Sequence, residues 1–191
     1  MSGRIEVIVG GMFAGKSDEL IRRLRRAEIA RQRVLAFKPA VDTRYGDGIV
    51  SHDGVSFRAL TVPTVGAVLL AAADADVVGI DEAQFFDGVL IRAAEALASA
   101  GKRVIVAGLD TDYRGDPFGP VPALMAIADD VLKLHAVCTS CGEDAVRSQR
   151  IVASQDQVLV GAETAYEARC RAHWNPEPVF SRRESVGEID G

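Results

Sequence analysis

The phosphate-binding pattern G-x-x-x-x-G-K-[ST] stands near the start of the chain, with Gly10, Gly15, Lys16 and Ser17 at its fixed positions. The two glycines allow backbone angles that other residues avoid, so consecutive N–H groups can surround a phosphate. The lysine offers a positive charge to the β- and γ-phosphates of a nucleotide, and the serine hydroxyl is a ligand for Mg²⁺. An apolar run precedes the pattern and a helical pattern follows it, which is the context that this loop requires. We therefore predict an ATP site here.

Two adjacent acids, Asp81 and Glu82, end the apolar run in VVGIDEAQFF. An acid at the carboxyl end of a buried strand is typical of the Walker-B residue that lies near Mg²⁺. Glu82 could accept a proton from a substrate hydroxyl, polarise a water molecule, or only stabilise the start of the next helix. We favour a catalytic role, because parallel sheets bind ligands at the carboxyl ends of their strands.

All three cysteines of the chain fall into two spaced pairs of metal-binding residues. Cys138 and Cys141 form C-x-x-C, and Cys170 and His173 form C-x-x-H. Buried core thiols are the alternative, but they do not explain this pairing. Three thiolates and one imidazole are typical of tetrahedral zinc, and no further residue completes a catalytic site, so we predict a structural Zn²⁺. Trp174 is predicted to pack against the second pair.

The elements that must position these residues alternate between apolar runs and helical patterns. This alternation is typical of a mostly parallel sheet that is covered by helices on both faces. Strands are predicted at 4–9, 34–40, 76–81, 102–110 and 131–138, and helices at 16–33, 65–73, 88–101 and 121–130, with a loop at 41–54. We predict a P-loop ATP-binding domain at 1–137, a small zinc-binding domain at 138–175 and a disordered tail at 176–191.

The composition excludes several classes of protein. The net charge of −5 disfavours a general nucleic-acid binder, which usually carries a basic field. The longest apolar run, VGAVLLAAA, is far too short to span a membrane, and the amino terminus lacks a secretory signal. We expect a soluble cytoplasmic protein without disulfides.

Together the motifs resemble the cellular-type (type II) thymidine kinases over about residues 4–174. The similar segments are GGMFAGKSDEL, DTRY, SHDG, IDEAQFF, LDTDYRGDPFGPV, AVCTSCGEDAVRSQR and VLVGAETAYEARCRAH. The resemblance implies a RecA-like P-loop NTPase domain with a zinc-anchored lasso that closes over the base. It implies transfer of the ATP γ-phosphoryl group to the 5′-hydroxyl of thymidine, giving dTMP in deoxynucleoside salvage, with Mg²⁺ and in a homotetramer.

The resemblance also assigns roles by matching position, beginning with Glu82 as the catalytic base. For ATP and Mg²⁺ it implies Gly10, Gly11, Met12, Phe13, Ala14, Gly15, Lys16, Ser17, Asp42, Arg44, Asp81, Glu82, Ala83 and Gln84. For thymidine it implies Met12, Phe85, Leu109, Tyr113, Phe118, Ser148, Gln157, Leu159, Val160, Gly161 and Tyr166.

A second function class remains open from the residues alone. A RecA-like ATPase that processes nucleic acid could carry the same phosphate loop and a zinc knuckle. It would use Glu82 to activate water and would need a DNA-binding face, which the acidic net charge disfavours.

Overall fold

The computed structural model describes residues 3–42, 48–50, 54–152 and 165–176, and within them the chain forms a six-stranded sheet. In spatial order its strands are β5 (Leu60–Val62), β2 (Val34–Pro39), β6 (Val77–Ile80), β7 (Arg103–Gly108), β1 (Arg4–Gly10) and β8 (Asp130–Leu134). Every neighbouring pair is parallel. All carboxyl ends of these strands therefore lie at one edge of the sheet.

Helices cover both faces of this sheet, namely α1 (Lys16–Ile29), α2 (Val65–Ala71), α3 (Val89–Ser99) and α4 (Val121–Ile127). Along β1, Val7 and Val9 pack in one apolar cluster while Ile8 packs in a second one, because successive side chains of a strand point to opposite faces. The first cluster includes buried residues of α2, α3 and α4. The second includes α1 together with the hairpin of β3 (Gly48–Val50) and β4 (Ser56–Arg58).

Helix α1 lies very close to strand β6 at a single glycine. A Cβ atom on Gly79 would lie 2.8 Å from the Cδ2 atom of Leu24, which is closer than real Cβ contacts. The missing side chain therefore lets the helix approach the strand. As a result, the start of α1 and the end of β6 lie side by side at the carboxyl edge.

Two small antiparallel sheets follow the large one. β9 (Ala136–Val137) pairs with β10 (Asp144–Ala145), and β11 (Arg147–Arg150) pairs with β12 (Tyr166–Arg169). Cys138 and Cys141 lie in the turn between β9 and β10, and Cys170 directly follows β12. Both predicted ligand pairs are thus carried by short hairpin elements.

The α/β class with a mostly parallel sheet is confirmed, and the differences from the predicted elements are local. Strand β5 was not predicted, since three residues show no periodicity. Helix α1 ends at Ile29 rather than at 33, because the backbone N–H of Arg33 donates to Asp76 at 2.8 Å instead of to a helical carbonyl. The predicted loop at 41–54 contains strand β3.

The predicted strand 131–138 is divided between two sheets. β8 stops at Leu134, whose partner Gly10 is the last residue of β1. Beyond Gly10 the chain leaves the sheet, so nothing remains there for β8 to pair with. Within the described ranges, no helix is both long and apolar enough to cross a bilayer.

A partly buried ionic cluster ties α1 to the sheet near the amino ends of its strands. Arg23 of α1 donates to Glu6 of β1 at 2.6 Å, to Glu19 at 2.8 Å and to Asp130 of β8 at 3.2 Å. Arg103 of β7 also donates to Glu6, at 2.6 and 2.9 Å. One cluster therefore joins the helix that begins at the phosphate loop to three parallel strands.

The arginines lower the pKa values of the two glutamates in this cluster. Burial acts to raise the pKa of Glu6, but hydrogen bonds from Arg103 and Arg23 hold it below its ordinary value. The hydrogen bond from Arg22, with a further one from Arg23, lowers the pKa of Glu19 to about 2. Since both folded-state values lie below the unfolded ones, their stabilisation is present above pH 4.5 and is lost as the pH falls toward 2.

We expect Arg23→Gln to lower the free energy of unfolding at pH 7 by about 1–3 kcal/mol, since Glu6 and Glu19 lose a charged donor. The variant should also lose less stability than the parent between pH 4.5 and about 2. Urea unfolding across this pH range measures both effects. Arg33→Gln is the control, because its ion pair with Asp76 is exposed and should matter little. Equal effects of the two substitutions would contradict the assignment.

Candidate active site

The loop between β1 and α1 has the backbone of a phosphate cradle. Gly10, Phe13 and Gly15 have φ angles of 148°, 65° and 78°. A Cβ atom on Gly10 would lie 2.3 Å from the carbonyl oxygen of Leu134, so only glycine fits where the loop leaves the sheet. Gly15 precedes the first turn of α1, and its carbonyl accepts the N–H of Glu19 at 3.1 Å. The amino terminus of α1 is therefore presented at the carboxyl edge of the sheet, where its dipole attracts anions.

The polar residues of the loop meet the end of β6. Lys16 donates from Nζ to the carbonyl oxygen of Gly11 at 2.7 Å. The Ser17 hydroxyl donates to Oδ2 of Asp81 at 3.1 Å. Asp81 continues the β2–β6 ladder, because its N–H donates to the carbonyl of Phe37 at 2.9 Å. A hydroxyl and a carboxylate at this spacing are oxygen donors of the kind that Mg²⁺ prefers.

The carboxyl of Asp81 is in an environment that disfavours its charge. Burial raises its pKa to about 7, and the negative charge of Glu82 adds to this shift. The backbone N–H of Glu82, the Ser17 hydroxyl and the Lys16 charge act in the opposite direction. A divalent cation beside this carboxyl would favour its ionised form, so the residues fit such an ion.

Glu82 is fixed by the preceding residue of its own strand and, through Gln84, by the neighbouring strand β7. Its backbone has a left-handed φ of 51°, which is uncommon for a residue with a side chain, and its N–H donates to Oδ1 of Asp81 at 2.9 Å. Its carboxylate accepts a hydrogen bond from Nε2 of Gln84 at 2.5 Å. The buried Gln84 in turn accepts the N–H of Leu109, just beyond β7, at 3.0 Å. An uncommon backbone conformation that the surrounding hydrogen bonds hold in place is found mainly at functional sites.

An apolar wall lies beside these polar groups. Met12 and Phe13 of the loop pack against a buried cluster that contains Tyr113, Ala165 and Tyr166. The rings of Phe85 and Phe118 meet edge to face, with their centroids 5.9 Å apart. The structure thus brings together aromatic side chains that are distant in sequence, and the cluster with Tyr113 and Tyr166 lies against the phosphate loop.

Ser148 contacts the phosphate loop directly. Its hydroxyl oxygen accepts the backbone N–H of Met12 at 2.9 Å. A Cβ atom on Gly11 would lie 3.4 Å from the same oxygen. Ser148 is buried on β11, so this bond joins the small hairpin to the loop. Its predicted contact with a nucleoside stays a prediction.

Two buried cations near the site were not identified from the sequence. The Arg150 guanidinium is fully buried, lies 3.7 Å over the ring of Tyr113 and donates to the Tyr166 hydroxyl at 2.5 Å. Lys38 is buried on β2 with its Nζ 4.0 Å from the carboxylate of Asp42. In the sequence, each of these cations stands alone within an otherwise strand-like run, Lys38 in LAFKP and Arg150 in SQRIVA, and this is the signal that could have identified them.

The four predicted metal ligands come together in the structure. One ligand atom from each of Cys138, Cys141, Cys170 and His173 lies within 4.8 Å of all the others. The Cys141 and Cys170 sulfurs are 3.8 Å apart, and the Cys170 sulfur is 3.2 Å from Nδ1 of His173. The three cysteines are free thiols. This donor set and compactness fit one tetrahedral ion.

The backbone around the first pair favours a thiolate. Burial acts to raise the pKa of the Cys138 thiol, but backbone N–H groups of Cys170, Ser140 and Cys141 lower it to about 6. The tight turn that supplies the N–H groups of Ser140 and Cys141 is closed by Gly142, whose N–H donates to the carbonyl of Cys138 at 2.9 Å. A thiolate is the form that binds metal.

Some predicted residues cannot be placed. Arg44, together with the predicted nucleoside contacts Gln157, Leu159, Val160 and Gly161, lies outside the described residues. The other predicted site residues all lie at or near the carboxyl edge of the sheet or on the two small sheets that follow it.

This arrangement defines a P-loop nucleotide-binding protein whose phosphate loop lies beside two carboxylates at the carboxyl edge of a parallel sheet. The family model described as "Thymidine kinase" matches residues 3–174, so the chain belongs to the thymidine kinase family. A thymidine kinase of Bacteroides fragilis is 56% identical over 170 residues, which cover 88% of this chain and 85% of that protein. One from a Rhodothermus species is 54% identical over 175 residues, covering 91% and 82%. The ATPase DotB of Legionella pneumophila superposes with a TM-score of 0.43 at 17% identity, over 66% of this chain and 35% of that one.

We expect Ser148→Ala to destabilise the protein by about 1–3 kcal/mol, because the Met12 N–H loses its acceptor in a half-buried place. Thermal unfolding of the ligand-free protein measures this loss. Ser99→Ala, at an exposed position at the end of α3, is the control and should have almost no effect. A Ser148 variant as stable as this control would show that the bond does not hold the loop.

Proposed function

We propose that this protein transfers the γ-phosphoryl group of ATP to the 5′-hydroxyl of thymidine and so produces dTMP. The observation that carries the proposal is the position of Glu82. Its carboxylate is fixed by Gln84 next to Asp81 and the phosphate loop, where a hydroxyl that attacks the γ-phosphate must lie. Membership of the thymidine kinase family supports the choice of nucleoside.

The chain's own groups divide the work of this reaction. The loop N–H groups and Lys16 bind the phosphates and offset their charge. Ser17 and Asp81 would hold Mg²⁺, which would supply positive charge to offset the charge of the phosphates. Glu82 accepts the proton of the 5′-hydroxyl as the bond to phosphorus forms. Gln84 keeps the carboxylate in position, so little reorganisation is needed before reaction.

The apolar wall described above is the proposed nucleoside site. Met12, Tyr113 and Tyr166 would supply apolar surface for the base. Phe85 and Phe118, whose rings meet edge to face, and Leu109, which bonds to Gln84, are proposed to add to this surface. Arg150 holds the two tyrosine side chains relative to each other through ring stacking and a hydrogen bond. The remaining part of the pocket would come from 157–161, the lasso of the family.

The cluster of Cys138, Cys141, Cys170 and His173 is proposed to hold a structural Zn²⁺. The three thiols and the imidazole fit the ion in number and spacing. When bound, the ion cross-links the β9–β10 turn to the end of β12. It takes no part in phosphoryl transfer, because its ligands lie on the small sheets and not on the edge that carries Glu82.

Organisation beyond the site follows the same resemblance. The kinase domain would comprise 1–137, the zinc-binding lasso domain 138–175 and the tail 176–191. We expect a cytoplasmic homotetramer, and the native molecular mass measured by light scattering tests the assembly.

We expect Glu82→Gln to retain ATP binding but to lower the rate of dTMP formation roughly 10²–10⁴-fold, the usual contribution of a general base. The turnover number with saturating ATP and thymidine measures the loss, and ATP affinity is measured separately. Asp87→Asn is the matched control. This exposed acid lies five residues further on, and asparagine keeps its bond to the N–H of Val89. Turnover near that of the control would refute Glu82 as the base.

The same assay separates the kinase from the nucleic-acid-dependent ATPase. Thymidine should stimulate ATP turnover in proportion to the dTMP formed. Stimulation by single-stranded DNA, with none by thymidine, would contradict the proposed function and favour the ATPase.

We expect one zinc ion per chain, and we expect Cys141→Ser to raise the Michaelis constant for thymidine far more than that for ATP. The metal would hold the segments that carry Ser148 and Tyr166, whereas the phosphate loop, although it contacts Ser148, is also held by β1 of the large sheet and by α1. Elemental analysis and paired kinetics with both substrates provide the measurements. Zinc-free protein, or unaltered thymidine kinetics in the variant, would contradict this assignment.

A further inference from the structure

Trp174 is the single tryptophan of the chain and directly follows the metal ligand His173. Its side chain lies outside the metal cluster and contacts a distant segment of the chain. The indole Nε1 donates to the backbone carbonyl of Tyr113 at 3.2 Å. One side chain therefore joins the metal-binding turn to the segment beyond β7.

The indole packs against a position that admits no side chain. Gly115 has a φ of 84°, and a Cβ atom there would lie 2.9 Å from Cη2 of Trp174. The turn that presents this glycine is closed by Asp112, whose carboxylate accepts the N–H groups of Arg114 and Asp116. The turn and the indole thus have complementary shapes.

Two further contacts fix the orientation of the indole. The Arg147 guanidinium of β11 lies 5.0 Å from the ring centroid of Trp174. The next backbone N–H, that of Asn175, donates to the buried side chain of Gln149 at 2.7 Å. Residues 173–175 are consequently held at three points, namely the metal cluster, the turn at 113–115 and strand β11.

Tyr113 is the residue through which these contacts reach the proposed nucleoside site. Trp174 holds its carbonyl, and Arg150 covers its ring at 3.7 Å. The ring belongs to the same apolar cluster as Tyr166, against which Met12 of the phosphate loop packs. A shift of the Tyr113 backbone would therefore move one wall of that pocket.

We propose that Trp174 is a positioning residue that couples the metal cluster to the nucleoside site through Tyr113. A bound ion fixes His173, and the rigid turn then holds the indole against Gly115 and the Tyr113 carbonyl. When the metal is removed, the indole no longer packs against Gly115, and the Tyr113 carbonyl loses its hydrogen bond from the indole N–H. The nucleoside part of this inference rests on the proposed function, whereas the coupling of the metal to Trp174 does not.

The first test compares two substitutions. Trp174→Phe keeps a ring against Gly115 but removes the N–H donor, so the Michaelis constant for thymidine should rise about three- to tenfold. Trp174→Ala removes the packing as well and should raise it further. The constant for ATP should change less than twofold in both variants. Val137→Ala, at an exposed position on β9, is the control for general disturbance of the small sheets.

The second test does not use activity. Because Trp174 is the single tryptophan, its fluorescence reports on its surroundings alone. Removal of the metal with a chelator should shift the emission to longer wavelength as the indole becomes exposed, and added zinc should reverse the shift. Arg147→Met should alter the emission of the metal-loaded protein, because the cation that lies over the ring is lost.

Either the fluorescence result or the kinetic result can overturn the proposal. Emission that does not respond to metal removal would show that the indole is independent of the cluster. Equal increases in the two Michaelis constants, or no increase, would show that Trp174 does not position the nucleoside site. A parent protein that does not phosphorylate thymidine would refute the proposed function and with it the nucleoside part, while the emission result still decides the coupling to the metal.

Discussion

The parallel pairing of β6, β7 and β1 is the constraint on which the site depends. It brings three strand ends to one edge, so that Asp81 and Glu82, Leu109, and the phosphate loop meet although they are far apart in sequence. Two side-chain hydrogen-bonded links then fix the relative positions of these segments. Ser17 contacts Asp81, and Gln84 spans from Glu82 to the backbone of Leu109. The first bond joins the start of the helix after β1 to the end of β6, two strands away, and the second joins the end of β6 to the end of its neighbour β7. Neither would form in an antiparallel sheet with this chain order.

The phosphate loop is held at both of its ends as well as by the sheet. Helix α1 is packed onto Gly79 and is tied by Arg23 to buried Glu6, which limits rotation of the helix that begins at the loop. At the other end, Ser148 accepts the N–H of Met12. The loop is therefore ordered before ATP binds, and less conformational entropy is lost on binding than in a loose loop. It also means that the small hairpin domain can influence the loop directly.

The sequence predicted the α/β class because long strands and helices leave a periodic signal, and it predicted the candidate chemistry because motifs are local. It did not predict what depends on packing between distant segments. Strand β5 is too short for a pattern, and the division at Leu134 depends on where β1 ends. Arg150 stood in a strand-like run that gave no indication of two tyrosines around it. Trp174 was predicted to pack locally, but its partners Tyr113 and Gly115 lie about sixty residues earlier.

The small sheets show why a metal and a tryptophan would be needed there, although the large sheet needs neither. Their buried apolar cluster consists of Ala136, Cys138, Ala145 and Ala168, with Phe13 and Ala14 of the phosphate loop packed against it. Such small side chains bury little apolar surface, so the hydrophobic effect alone stabilises these hairpins weakly. A metal bound by four side chains would supply the missing free energy, and it would do so at one point. The remaining orientation must come from contacts with the phosphate loop and the segment beyond β7, which are provided by Ser148, Arg150 and Trp174. In this part of the protein, the residues that stabilise the fold are therefore the same residues that set the position of the proposed nucleoside pocket.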